Sequence, residues 1–267
     1  MKLVRYLTFG TDYAALKASP EEMLRIFLEL SDNMPDKADL LDSCGERLLR
    51  SFHGNTNRKE DIDNCILAFE SAVHLTPRGH SELSGRLHML GVSFYHRFHI
   101  TGDLIDISEA ILYQQKARHL TPKGYADIPD RLNSLGNALQ SRFKYTGDIT
   151  DISDAISHQQ EAVNLTPKGD ADIPNRLNNL GNAFQVRFEC SGDLDDISTT
   201  ISYQQKALHL TPKGRADIPS HLNDLGISLS LRFEHTGDLT DLSDAISYYQ
   251  KALHLSLLRA MQPCTAS

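Results

Sequence analysis

Twelve histidines and four cysteines are the side chains in this sequence that could ligate a metal or act as nucleophiles. His74, His119, His209 and His254 share one column, one per 45 residues, so they do not converge on a common centre. A protonated imidazole in that column suits the C-terminal end of a helix. His96 and His99 stand one helical turn apart and could share a metal, yet neither position recurs and no third ligand is evident nearby. Cys44, Cys65, Cys190 and Cys264 show no CxxC spacing and read as reduced thiols. Gly-rich phosphate loops, H-E-x-x-H runs and G-x-S-x-G elbows are all missing. These patterns predict no catalytic residues, no metal and no cofactor.

Carboxamides are the polar groups that do recur. Asn133, Asn137 and Gln140, then Asn178, Asn182 and Gln185, then Asn223, fall on one stripe, roughly 120° around a helix from its apolar face. His88 holds the same column in an earlier copy. Asparagine is a poor helix former, costing a few tenths of a kcal/mol against alanine. A carboxamide both donates and accepts, so it can pair with a peptide bond whatever side chains that peptide carries. The competing account is architectural: the asparagines bond to the neighbouring repeat, or stand solvated as remnants of duplication.

The elements that position this stripe are repeats. Copies begin at Thr76, Thr121, Thr166 and Thr211 without a gap, and a degenerate copy fills 31–75 with one extra residue between Phe52 and Asp61. The copies at Thr121 and Thr166 agree at 29 of 45 positions, more than packing demands, which points to duplication. In each copy, apolar spacing such as Ile128, Leu132, Leu135, Leu139 and Phe143 predicts a first helix. Pro129, Pro174 and Pro219 fit its first turn. Ile152, Ala155, Ile156, Ala162, Val163 and Leu165 predict a second helix, with Asp148 or Asp151 as its cap. Thr-Pro-Lys-Gly ends it, because proline cannot continue a helix. Gly45, Gly91, Gly136, Gly181 and Gly226 form one small column, and Ala72, Ala117, Ala162, Ala207 and Ala252 are expected to match it across the helix crossing. Arg97, Arg142, Arg187 and Arg232 precede two aspartate columns, and an Arg–carboxylate bridge or an Arg bond to loop carbonyls is expected to pin the hairpin.

The expected fold class is therefore all-α: a right-handed α-solenoid of about five antiparallel helix pairs plus an N-terminal capping helix. Residues 1–30 form the capping region, with Ser19-Pro20-Glu21-Glu22 starting its helix. The copies occupy 31–75, 76–120, 121–165, 166–210 and 211–255, and 256–267 form a tail. Ser256-Leu257-Leu258-Arg259 replaces the stop, so the last helix is expected to run to about Met261, leaving Leu253, Leu257 and Leu258 partly uncovered. That end is expected to contact another chain or to have lost a downstream domain.

A formal net charge of −8 argues against a nucleic-acid partner. No run of apolar residues is long enough to span a membrane, and Met1 to Gly10 lacks the core of a secretory signal. A cytoplasmic location is expected. Leu135-Gly136, Ala155, the run Tyr203 to Leu208 and Pro212 resemble the tetratricopeptide repeat in order, although the period is longer. In length and in the run Leu177 to Leu180 the copies are similar to kinesin light chain repeats, and to the long arrays of mushroom-forming fungi that often precede a caspase-like peptidase domain. The resemblance implies a non-enzymatic scaffold with a concave groove lined by His88, Asn133, Asn137, Gln140, Asn178, Asn182, Gln185 and Asn223, holding a peptide of a protein partner. It also allows an alternative, a regulatory or sensor module of a larger effector bearing a caspase-like peptidase or NTPase domain. Self-association through the C-terminal end is a further expectation.

Overall fold

The computed structural model describes residues 18–56 and 58–260. The expectations for Met1 to Gly10, for Cys264 and for a helix end at Met261 lie outside these residues. Among the described residues every regular element is helical. The chain divides into two compact units, Met1–Gly102 and Asp103–Ser267, and the division falls between the two helices of the copy 76–120.

The first unit begins with α1 (Pro20–Glu29). Ser19 and Glu22 form a reciprocal capping box, with Glu22 N–H donating to Ser19 Oγ at 3.2 Å and Ser19 N–H to Glu22 Oε2 at 3.1 Å. Met23, Leu24 and Phe27 are buried, and α1 packs on α2 (Lys37–Ser51). Lys37 is buried too, its ammonium donating to Leu28 O, to Leu30 O at 2.6 Å and to Asp32 at 2.8 Å. It thus satisfies carbonyls left open at the end of α1. The extra residue of this copy coincides with a widened π turn over Phe52–Thr56, a form that absorbs single insertions. Helices α3 (Lys59–Leu75) and α4 (Leu83–Thr101) follow.

The second unit holds α5 (Leu104–Leu120), α6 (Ile128–Thr146), α7 (Ile149–Leu165), α8 (Ile173–Ser191), α9 (Leu194–Leu210), α10 (Ile218–Thr236) and α11 (Leu239–Ala260). Each helix packs on the next, and α6, α8 and α10 also touch in sequence, forming a layer of first helices. Ile197 and Ile201 of α9 join Leu225 and Leu229 of α10 in one core cluster. Pro129, Pro174 and Pro219 sit in the first turns of α6, α8 and α10.

Both turns of the repeat have local causes. At the hairpin, Gly147, Gly192 and Gly237 adopt φ of 72°, 69° and 72°, and each donates its N–H to a phenylalanine carbonyl four residues back at 2.7 Å. Between copies, Thr121, Thr166 and Thr211 donate their hydroxyls to Ala117 O, Ala162 O and Ala207 O before the proline ends the helix. The two aspartate columns divide their work. Asp148, Asp193 and Asp238 cap the second helices, accepting from the N–H two residues on at 2.9–3.0 Å. Asp151, Asp196 and Asp241 are buried and take paired bonds from Arg142, Arg187 and Arg232 at 2.6–2.8 Å. In the degenerate copy serine replaces this arginine, and Arg58 reaches Asp61 from the loop instead, at 3.2 and 3.0 Å.

The small columns do not face each other as expected. A methyl on Gly45, Gly136, Gly181 or Gly226 would run into Phe69, Gln159, Gln204 or Tyr249, three residues before each alanine. In an antiparallel hairpin the alanine lies further along, and Ala162 packs with Ile128 and Leu132 at the start of its own first helix. The glycines thus admit a larger side chain from the partner helix.

Candidate functional site

The first-helix layer is fixed by a buried column that patterns of asparagine do not reveal. Arg176 is 5% exposed and donates to Thr166 Oγ1, in the turn ahead of α8, and to Asp130 on α6. In the first unit Arg86 does the same with Thr76 and with Asp39 on α2. His221 occupies the column in α10, with Nδ1 3.1 Å from Thr211 Oγ1. Burial holds this imidazole below its ordinary range, against the opposing pull of Asp217 and Asp224. Arg86, Arg176 and His221 each tie a first helix to the turn before it, and Arg86 and Arg176 add the preceding first helix.

On that frame the carboxamides form pairs. Gln159 of α7 donates through Nε2 to Asn137 Oδ1 at 2.8 Å, and Gln204 of α9 donates to Asn182 Oδ1 at 2.9 Å. Gln159 and Gln204 are buried, whereas Asn137 and Asn182 are half-buried. Sideways bonds join the first helices: Asn179 Nδ2 to Asn133 Oδ1 at 3.1 Å, and Asn178 Nδ2 to Asp224 Oδ2 at 2.7 Å. Gln185 accepts from Ser228 at 3.0 Å and donates to Glu189 at 2.9 Å. Asn178 is buried, Gln140 half-buried and Asn223 exposed. The structure therefore ties Asn133, Asn137, Asn178, Asn182 and Gln185 each into a separate side-chain bond within the second unit. His88 lies on α4 of the first unit, half-buried.

These pairs have a chemical consequence. With the Asn137 and Asn182 oxygens in these bonds, each asparagine keeps Nδ2 as a further donor. Where Tyr249 replaces the glutamine, Ile227 replaces the asparagine, and the tyrosine ring fills the space beside Gly226. In the copy 76–120, by contrast, Gln114 is kept although Val92 replaces the asparagine.

In the first unit two histidines from different helical segments lie together. His53 lies edge-on to His96 with centroids 4.5 Å apart, supplying a neighbour that sequence spacing does not reveal. Burial, then His53 and His99, push His96 down to about 4, so its ring is neutral at pH 7. Among the described residues no group of three or more potential ligands is placed to hold a metal. Among them, too, no helix is long and apolar enough to cross a membrane.

No family model matches the chain, and no curated protein matches it. Solved structures do match. The chain is similar to BtubC (BKLC) from P. vanneervenii at 13% identity over 93% of this chain and 92% of that one, with a TM-score of 0.63. A putative kinesin light chain of Podosopora anserina with nearly identical TPR-like repeats matches at 10% identity, over 82% and 97%, with a TM-score of 0.58. A MamA protein matches at 17%, over 88% and 100%, with a TM-score of 0.51. The chain has a tetratricopeptide-like repeat fold. Within this tetratricopeptide-like frame, the residues missed by sequence reasoning are the Arg86, Arg176 and His221 latch and the Gln159 and Gln204 partners. Their recurrence at the repeat period was available as a signal.

Proposed function

We propose that the chain is a non-enzymatic scaffold that binds a peptide segment of a protein partner along its first-helix face. The observation that carries this reading is the pair of locked carboxamides, Asn137 held by Gln159 and Asn182 held by Gln204. Two adjacent copies thereby offer amide donors at equivalent positions, which suits the evenly spaced carbonyls of an extended peptide. Gln140 and Asn223, less tied into the frame, extend the same surface. The copies at 121–165, 166–210 and 211–255, all within the second unit, are the repeating platform on which it lies.

Affinity capture with two variants tests it. Asn137→Ala with Asn182→Ala removes the locked donors, and Gln140→Ala with Asn223→Ala removes the freer groups at the surface. Both should lose partners retained by the wild type, and the second pair should leave the melting temperature unchanged. Retention of every partner by the second pair, with only a lower melting temperature in the first, would overturn the reading in favour of an architectural role.

A further inference from the structure

The outer face of α11 departs from its counterparts. In α9, Ile197 and Ile201 belong to the cluster with Leu225 and Leu229 of the next first helix, Leu208 packs against it, and Ile201 is 4% exposed. The equivalent residues in α11 are Leu242, Ile246 and Leu253, of which Ile246 is 49% and Leu253 62% exposed. Leu257 continues the stripe, itself exposed. These positions advance by four and seven residues, the spacing of a seam between two helices. The stripe is also longer than its internal counterparts. Ser256 keeps the hydroxyl bond to the carbonyl four residues back, 2.9 Å from Ala252 O, as the threonines do. Leu257 then stands where Pro77, Pro122, Pro167 and Pro212 end the earlier helices, so α11 runs to 22 residues against 17 in α5, α7 and α9.

We propose that this face pairs with the same face of a second copy of the chain, α11 against α11, antiparallel about a two-fold axis. The occupant must present an apolar stripe of helical spacing, and the stripe itself meets that condition. Residues 242–257 span roughly 22 Å. Antiparallel pairing centred between Tyr249 and Gln250 sets Ile246 of each copy against Leu253 of the other, and Leu242 against Leu257. The rim suits two chains that each carry a net charge of −8. Ser243, Gln250 and Ser256 beside the stripe are neutral, and Asp244 and Lys251 project from the far side of the helix. Among the described residues the N-terminal end offers no matching stripe, because α1 turns Met23, Leu24 and Phe27 inward and leaves Glu22, Arg25 and Glu29 outside. A face that pairs with itself closes at two copies. This proposal does not depend on the peptide-binding reading.

Sedimentation velocity on the full chain over a wide concentration series tests it. The mass should rise from 29.8 kDa to twice that value. Ile246→Lys and Leu253→Asp, both at exposed positions, should each weaken association about tenfold or more, since a charge would be buried without a partner. Mixing the two variants should recover a heterodimer, because one lysine then meets one aspartate. Circular dichroism checks that both variants fold; should either not, slowing of wild-type amide exchange over 242–257 with rising concentration replaces it. A wild type that stays monomeric, a dimer indifferent to both substitutions, a mixture that does not associate, or exchange that ignores concentration overturns the proposal.

Discussion

At the scale of single residues, the strongest constraint is the arginine that spans the hairpins α6–α7, α8–α9 and α10–α11. The Asp196 side chain is 7% exposed and takes two bonds from Arg187, itself one-third exposed and stacked 5.1 Å from the centre of the Phe184 ring. Taking a carboxylate out of water is unfavourable, and the bidentate bond offsets it. Arg187→Met keeps the aliphatic packing but strands the carboxylate, so it should lower stability by about 2–3 kcal/mol. The Lys59–Asp63 pair on the surface of α3, at 2.9 Å, is the control: Lys59→Met should change stability by about 1 kcal/mol or less. Urea unfolding of the two variants makes the comparison. If Arg187→Met proves no more damaging than Lys59→Met, the bridge does not hold the hairpin.

At the scale of elements, the glycine column decides how closely paired helices approach. A methyl on Gly136 would lie 2.5 Å from Gln159 Cγ and 3.1 Å from Ala155 O, while one on Gly181 would meet Gln204 Cγ and Thr200 O at 3.2 Å. Alanine gains about 1 kcal/mol of helix propensity at either site. Overpacking costs about 1–3 kcal/mol where the neighbour cannot move, and Gln159 is buried and bonded to Asn137. Gly136→Ala should therefore be net destabilising, by about 1–2 kcal/mol, and Gly181→Ala close to neutral. Thermal unfolding in the opposite order would show that the column is not set by close approach. Helices, their prolines and their stops were legible from the sequence because each follows from spacing within about ten residues. The hairpin arginine was legible as a pin, but the spacing left a carboxylate and the loop carbonyls both open as its partner, and did not choose between the two aspartate columns. What faces the glycines was not legible, since a column recurring at the repeat period does not say which column of the partner helix it meets. The same holds for the stripe: Asn137 finds its partner 22 residues on, and Asn178 finds Asp224 46 residues on.

At the scale of the whole molecule, a repeat array is stabilised by contacts between neighbours, so a helix with one neighbouring layer should open more readily than one with two. The near-identity of the copies supplies an internal control. Helix α9 lies between α8 and α10, whereas among the described residues α11 packs on α10 alone. Their inner faces match, with Ala207 and Ala252 both buried and with Arg187–Asp196 mirrored by Arg232–Asp241. What differs is the cover over Ile201 against Ile246 and over Leu208 against Leu253. Burying an aliphatic side chain contributes about 1.5–3 kcal/mol, and α11 forgoes roughly half of that at each of two positions. The deficit is about 2 kcal/mol, or roughly 30-fold in the opening equilibrium. Hydrogen exchange on dilute protein, below the concentration at which copies pair, should therefore show residues 242–255 about 30-fold less protected than residues 197–210. Equal protection would mean that stability is pooled across the unit rather than passed between neighbours, and α11 would then gain little by acquiring a cover.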